Sequence, residues 1–91
     1  IHHNSIHGNE IGVFIRENGS GIKVNSNNIY DNERYNMRLG DFNDEDVDAK
    51  NNWWGGVPVA ETVFDKRRES YIGEVLFEPI LTEPVPVKLE N

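Results

Sequence analysis

Carboxylates crowd one short stretch of this chain, Asp41, Asp44, Glu45, Asp46 and Asp48, and hard cations such as calcium take oxygen ligands from loops of this kind. Asp41, Asp44 and Asp46 are the candidate ligands. The spacing does not fit an EF-hand, because the glycine required at the sixth position of such a loop is Asp46 here. A solvated turn with its like charges facing water explains the same run. Calcium is the one cofactor left open, and no other is implied.

His2, His3 and His7 suggest a metal or a general base, but a corner expected at Asn4 separates His3 from His7. No cysteine or carboxylate stands nearby at ligand spacing, so surface or stacking roles suit the histidines better. Trp53 and Trp54 must point to opposite sides of a strand. One indole then belongs to the core, and Trp53, near Tyr30, could stack on the apolar face of a sugar ring. The competing role for Trp53 is packing beneath a capping segment. Of the groups a glycosidase or lyase needs on adjacent strands, only Glu10 over Glu33 repeats, and turn residues in register repeat for structural reasons too. No catalytic residue is assigned. Asn18-Gly-Ser20 fits the N-glycosylation triplet and equally a glycine-containing turn.

Composition narrows the partners. With 9 Lys+Arg against 16 Asp+Glu, a formal charge of -7 argues against nucleic-acid backbones and anionic membrane surfaces. No run approaches the roughly 18 apolar residues of a membrane span. Cysteine is absent, which excludes a disulfide framework and a thiolate nucleophile. At 91 residues the core is thin, or shared between repeating units.

The elements that must position these groups are legible as a repeat. Ile1-His-His-Asn4-Ser-Ile6-His-Gly-Asn9 returns as Val24-Asn-Ser-Asn27-Asn-Ile29-Tyr-Asp-Asn32 and again as Ala49-Lys-Asn-Asn52-Trp-Trp54. The anchors are 23 (27 minus 4) and then 25 (52 minus 27) residues apart. Self-similarity at this spacing indicates stacked units, each unable to bury its apolar face alone. Apolar residues come as pairs two apart: Val13 with Ile15, Ile22 with Val24, Met37 with Leu39, Val47 with Ala49. Period two means strands rather than helices. The inward columns are Ile1/Val24/Ala49, Ile6/Ile29/Trp54, Val13/Met37, Ile15/Leu39 and Ile22/Val47. Asn4, Asn27 and Asn52 keep register with them, which predicts a side-chain amide ladder at a left-handed corner.

The spacing I/V-x-x-N-x-I-x-x-N, followed by Val47-Asp-Ala-Lys-Asn-Asn-Trp-Trp-Gly55 and later by Gly73-Glu-Val75-Leu-Phe77-Glu-Pro79-Ile-Leu81, resembles the right-handed parallel β-helix repeat proteins. The likeness covers about residues 1 to 81 and is closest to the final coil and C-terminal segment of secreted bacterial and archaeal members. It implies an all-β fold: a right-handed parallel β-helix (β-solenoid) fragment with a small C-terminal capping segment. Residues 1–56 are the expected coils, 57–81 the cap and 82–91 an extended tail or linker. Ala60, Val63, Phe64 and Arg67 fall at i, i+3, i+4 and i+7, which predicts two helical turns over 59–67 after Pro58, then one strand around Val75 and Phe77.

The function implied is structural: the terminal portion of a secreted, periplasmic or cell-surface protein, with carbohydrate as a conceivable ligand of its outer face. The alternative is a fragment of a polysaccharide lyase or glycosidase whose catalytic coils lie upstream. The fold does not choose between them. An open first coil is further expected to drive self-association, as a two-fold dimer.

Overall fold

A computed structural model of the chain describes residues 1–17 and 21–86, with the backbone alone at Glu17, Asp41 and Phe42. Its regular structure is all-β apart from one 3-10 turn. The described strands are β1 (Ser5–Ile6), β2 (Ile11–Glu17), β3 (Asn28–Ile29), β4 (Tyr35–Phe42), β5 (Val47–Asp48), β6 (Val63–Phe64) and β7 (Val75–Leu76). They form three small sheets in which every pairing is parallel: β1 with β3, β2 with β4 and β6, and β5 with β7. Isolated parallel bridges from Asn28 to Trp53 and from Lys23 to Asp48 carry two of these sheets one residue pair further.

Alternation explains the strands, and register explains the core. Val13 lies opposite Met37, Met37 opposite Val63, and Ile15 opposite Leu39, so branched and long apolar side chains stack on one face of the middle sheet. Val47 meets Val75 and Ile6 meets Ile29 in the other two. Val24, Ile29, Met37, Leu39, Val47, Ala49 and Val75 are fully buried, and Trp54 nearly so. Full burial of one such side chain is worth about 1.5 to 3 kcal/mol. At one end of these columns the covering is lost: Ile6 is half-buried and Ile1 is 57% exposed.

The left-handed corner does not fall on the ladder asparagines. Positive φ angles occur one residue earlier, at His3 (56°), Ser26 (57°) and Asn51 (62°). These three stack through their main chains: His3 N donates to Ser26 O and Ser26 N to Asn51 O, both at 2.8 Å. Turning the chain at the preceding residue frees the asparagine side chain to reach back across the corner, where Asn27 Nδ2 donates to Asn25 O at 3.0 Å.

The helix expected over 59–67 is replaced by a single 3-10 turn, Val59–Thr62, after which Val63 and Phe64 join the middle sheet. An isolated two-turn helix is marginal in water. Here the free edge of β4 offers Val63 a place opposite Met37, where it is almost wholly buried. The strand expected near Val75 forms as β7. Between these strands the chain is held by buried Asp65, whose carboxylate accepts from Val75 N at 2.8 Å and pairs with the Arg67 guanidinium. Gly73 passes so close to the acidic loop that a Cβ would stand 1.9 Å from Glu45 O. Residues 57–81 therefore extend two of the sheets rather than sitting over them as a separate lid. In the described part of the segment that follows, Val85 is hydrogen-bonded to Asn28.

Candidate functional site

The amide ladder is the most regular polar feature. Asn4 N and Nδ2 both donate to Asn27 Oδ1, at 3.0 and 3.3 Å, and Asn27 N and Nδ2 both donate to Asn52 Oδ1, at 2.9 and 3.2 Å. Asn52 Nδ2 closes the row on the carbonyls of Val24 and Ala49. Asn27 and Asn52 are fully buried, and burial is tolerable because these amides are hydrogen-bonded on both sides. A second, shorter ladder joins Asn9 to Asn32 with the same pattern, 3.1 Å from N and 3.3 Å from Nδ2 to Oδ1. Its signal was in the sequence, because Asn9 and Asn32 recur at the same spacing as Asn4 and Asn27.

Trp53 and Tyr30 do come together, and with them His7. His7 and Tyr30 stack with ring centroids 4.9 Å apart and planes at 18°, and Trp53 leans on Tyr30 at 5.1 Å. Successive parallel strands place His7 and Trp53 on opposite sides of Tyr30. His7 thus stacks on the Tyr30 ring, while Trp53 meets that ring at a tilt of 55°. Trp53 is half-buried and Trp54 turned inward. Period two correctly separates the two indoles, but it carries no information on which ring faces stay open.

The acidic loop is partly consumed by the fold. Asp46 Oδ1 accepts from Glu74 N at 2.9 Å, which ties the loop to the segment before β7, and Asp44 is exposed. The Asp41 side chain lies outside the described residues. Among the described residues no group of three His, Asp or Glu side chains is placed to hold a metal ion. Asp48 has a different fate. Burial opposes its ionisation, but the Lys50 N–H, the Asn25 amide and the charges of Lys50 and Lys23 outweigh this and hold its carboxyl below the ordinary value.

The histidines do not converge: His2 and His3 touch edge to face, while His7 belongs to the aromatic stack. The carboxylate pair is not left free. Glu33 N bonds Asn9 O and Arg34 N bonds Glu10 O, which keeps Glu33 in the column of Glu10, but the Glu10 carboxylate is taken up by Arg34, whose Nη1 lies 3.2 Å from Glu10 Oε1 on the exposed surface. Asn18-Gly-Ser20 lies outside the described residues.

One outer-face cluster escaped sequence reasoning. Arg38 lies opposite Phe14 and Phe64 in the middle sheet, with its guanidinium carbon 5.6 Å from one ring centroid and 4.6 Å from the other. These are the neighbours of Val13, Met37 and Val63, so the row was readable as the outward complement of an inward column. A shallow cleft of about 240 Å³ opens elsewhere on the surface, beside β7, lined by Lys50, Arg67, Glu74, Phe77 and Glu78 among others. Its Arg67 is already committed to Asp65 and Glu74. Among the described residues no helix is long and apolar enough to cross a membrane. Comparison of the chain with protein-family models, curated proteins and solved structures finds no match.

Proposed function

We propose that this chain is a structural stretch of a right-handed parallel β-helix, of the kind built into secreted or cell-surface proteins, in which residues 57–81 finish the stack. The observation that carries this reading is the middle sheet. Three parallel strands in register repeat one inward row, Val13/Met37/Val63, and one outward row, Phe14/Arg38/Phe64. Right-handed connection is the rule for parallel strands joined by crossovers. A scaffold role follows from where the polar groups are spent: the amide ladders, Asp65 and Asp46 all hold backbone, and Tyr30 is packed between His7 and Trp53.

The test asks whether this chain itself carries catalysis. Incubation of the chain with a panel of neutral and acidic polysaccharides should release neither new reducing ends nor unsaturated sugar products. Either product would place catalysis within this chain and overturn the scaffold reading.

A further inference from the structure

Arg34 and Arg67 are met by carboxylates, and Arg68 donates to the carbonyls of Val63 and Glu61. Arg38 is held differently. Its guanidinium lies over the rings of Phe14 and Phe64, one on each neighbouring strand, and among the described residues no carboxylate, carbonyl or other acceptor meets its nitrogens. Nε is moreover buried. A guanidinium that has lost water at Nε without gaining an acceptor is short of hydrogen bonds, in a chain whose formal charge is -7.

The rings hold this cation in place. A Cβ at Gly40 would stand 3.0 Å from Phe14 Cε1, so the bare glycine leaves the Phe14 ring its position against β4. Phe64 is braced by Tyr35, edge to face at 5.4 Å, and Tyr35 in turn carries the Arg68 guanidinium at 5.7 Å. Arg38 has thus already given up much of its rotamer freedom, and whatever binds it meets a planar fork fixed in advance. Phe14 is 52% exposed, while Arg38 and Phe64 are half-buried, so the row is open from outside.

We propose that the row Phe14/Arg38/Phe64 is a docking surface for an extended segment of a partner protein that presents a carboxylate between two apolar side chains. Charge selects the carboxylate. The edge of a guanidinium offers parallel N–H donors that a carboxylate takes two at a time, and Arg68 adds a second positive charge at the Tyr35 end of the row. The rings select the flanks. Facing residues of an extended chain lie two apart, about 6.6 Å, and the rings stand one strand spacing, about 4.8 Å, to either side of Arg38. The pattern apolar-x-Glu-x-apolar, laid across β2, β4 and β6, therefore brings leucine-sized side chains onto both rings. Aromatic residues and arginine are also the types enriched where proteins meet. An acidic oligosaccharide shares the carboxylate, but its hydroxyls need further polar partners, and the outward position beside Arg38 on β4 is Gly40, which carries no side chain. Docking of this kind goes beyond the scaffold reading and does not depend on it, because an outer row can be covered whether or not the chain acts on polysaccharide.

The probe is the blocked peptide acetyl-Leu-Thr-Glu-Thr-Leu-amide, titrated into the isotope-labelled 91-residue chain and followed by the side-chain Nε–H signal of Arg38 and the amide signals of Phe14 and Phe64. Saturable shifts in all three are expected, half complete at about millimolar peptide. The same peptide with glutamine in place of glutamate should bind at least about tenfold more weakly. So should the glutamate peptide on an Arg38→Lys chain whose other amide signals stay native, since lysine keeps the charge and loses the fork. Equal binding of the two peptides would overturn the proposal, as would no saturation up to about 20 mM peptide, or sodium acetate reproducing the shifts at equal concentration. Tighter binding of trigalacturonate than of the glutamate peptide would also overturn it and give the row to an acidic sugar. The comparison of the two peptides uses the unaltered chain, so it decides the matter even where the lysine variant fails to fold.

Discussion

The side chain of Asn28 grips the main chain of Val85 from both sides: Nδ2 donates to Val85 O at 2.8 Å and Oδ1 accepts from Val85 N at 2.6 Å. An asparagine amide has the same donor and acceptor as a peptide group, so it can pair with one residue as a neighbouring strand would. Val85 stands between Pro84 and Pro86, and it alone of the three has an N–H to give. Asn28→Ala should free this strap. We expect a loss of about 1 to 2 kcal/mol, two hydrogen bonds at roughly 1 kcal/mol or less each, with faster proteolysis near residue 85. Unchanged cleavage there would remove the strap from the account.

Asn27 is the middle of its ladder and makes contacts on both sides. Asn27→Ala leaves Asn4 N and the carbonyl of Asn25 without their partner, at a cost of about 1 to 3 kcal/mol for buried groups. Asn25→Ala breaks bonds to Asp48 and Lys50 O nearer the surface and should cost less than half as much. Urea titrations of the two variants compare them directly, and equal losses would mean that the ladder is not a source of stability.

Ser26 carries the corner at a φ of 57°. Left-handed backbone costs an L-residue about 1 to 2 kcal/mol, and a β-branched side chain is worst placed there. Ser26→Gly should be neutral or stabilising by up to about 1 kcal/mol, while Ser26→Val should be destabilising by about 1 to 2 kcal/mol. Thermal melts that ranked the valine variant above the glycine variant would contradict the corner geometry.

Asp48 has its carboxyl held below the ordinary value in the folded chain. A depressed folded value means that the unfolded chain binds the proton first, so the contribution is present above about pH 4 and is lost as pH falls through the folded value. Asp48→Asn should therefore lose stability at neutral pH and flatten part of the acid limb of the urea midpoint against pH. Parallel acid limbs for the two proteins would show that another carboxylate governs it.

The amino-acid sequence determined the strands, their inward faces and the asparagine columns. These follow from alternation and repeat spacing, which are properties of the chain read along its length, and they appear as Val13 over Met37 and Asn4 over Asn27. What the tertiary structure decided are contests between residues far apart. Residues 59–67 contain a helical spacing, yet the vacant edge of β4 draws Val63 into a strand. The left-handed turn sits at Ser26 rather than Asn27, since it is the following side chain that must reach back. Glu33 keeps its place in the column of Glu10, yet the Glu10 carboxylate pairs with Arg34, the neighbouring side chain of opposite charge. Tyr30 stacks on His7 and meets Trp53 at a tilt. A period says which side of a strand a residue occupies, but what meets it there depends on the register and closeness of another strand, and those are settled only when the strands pack.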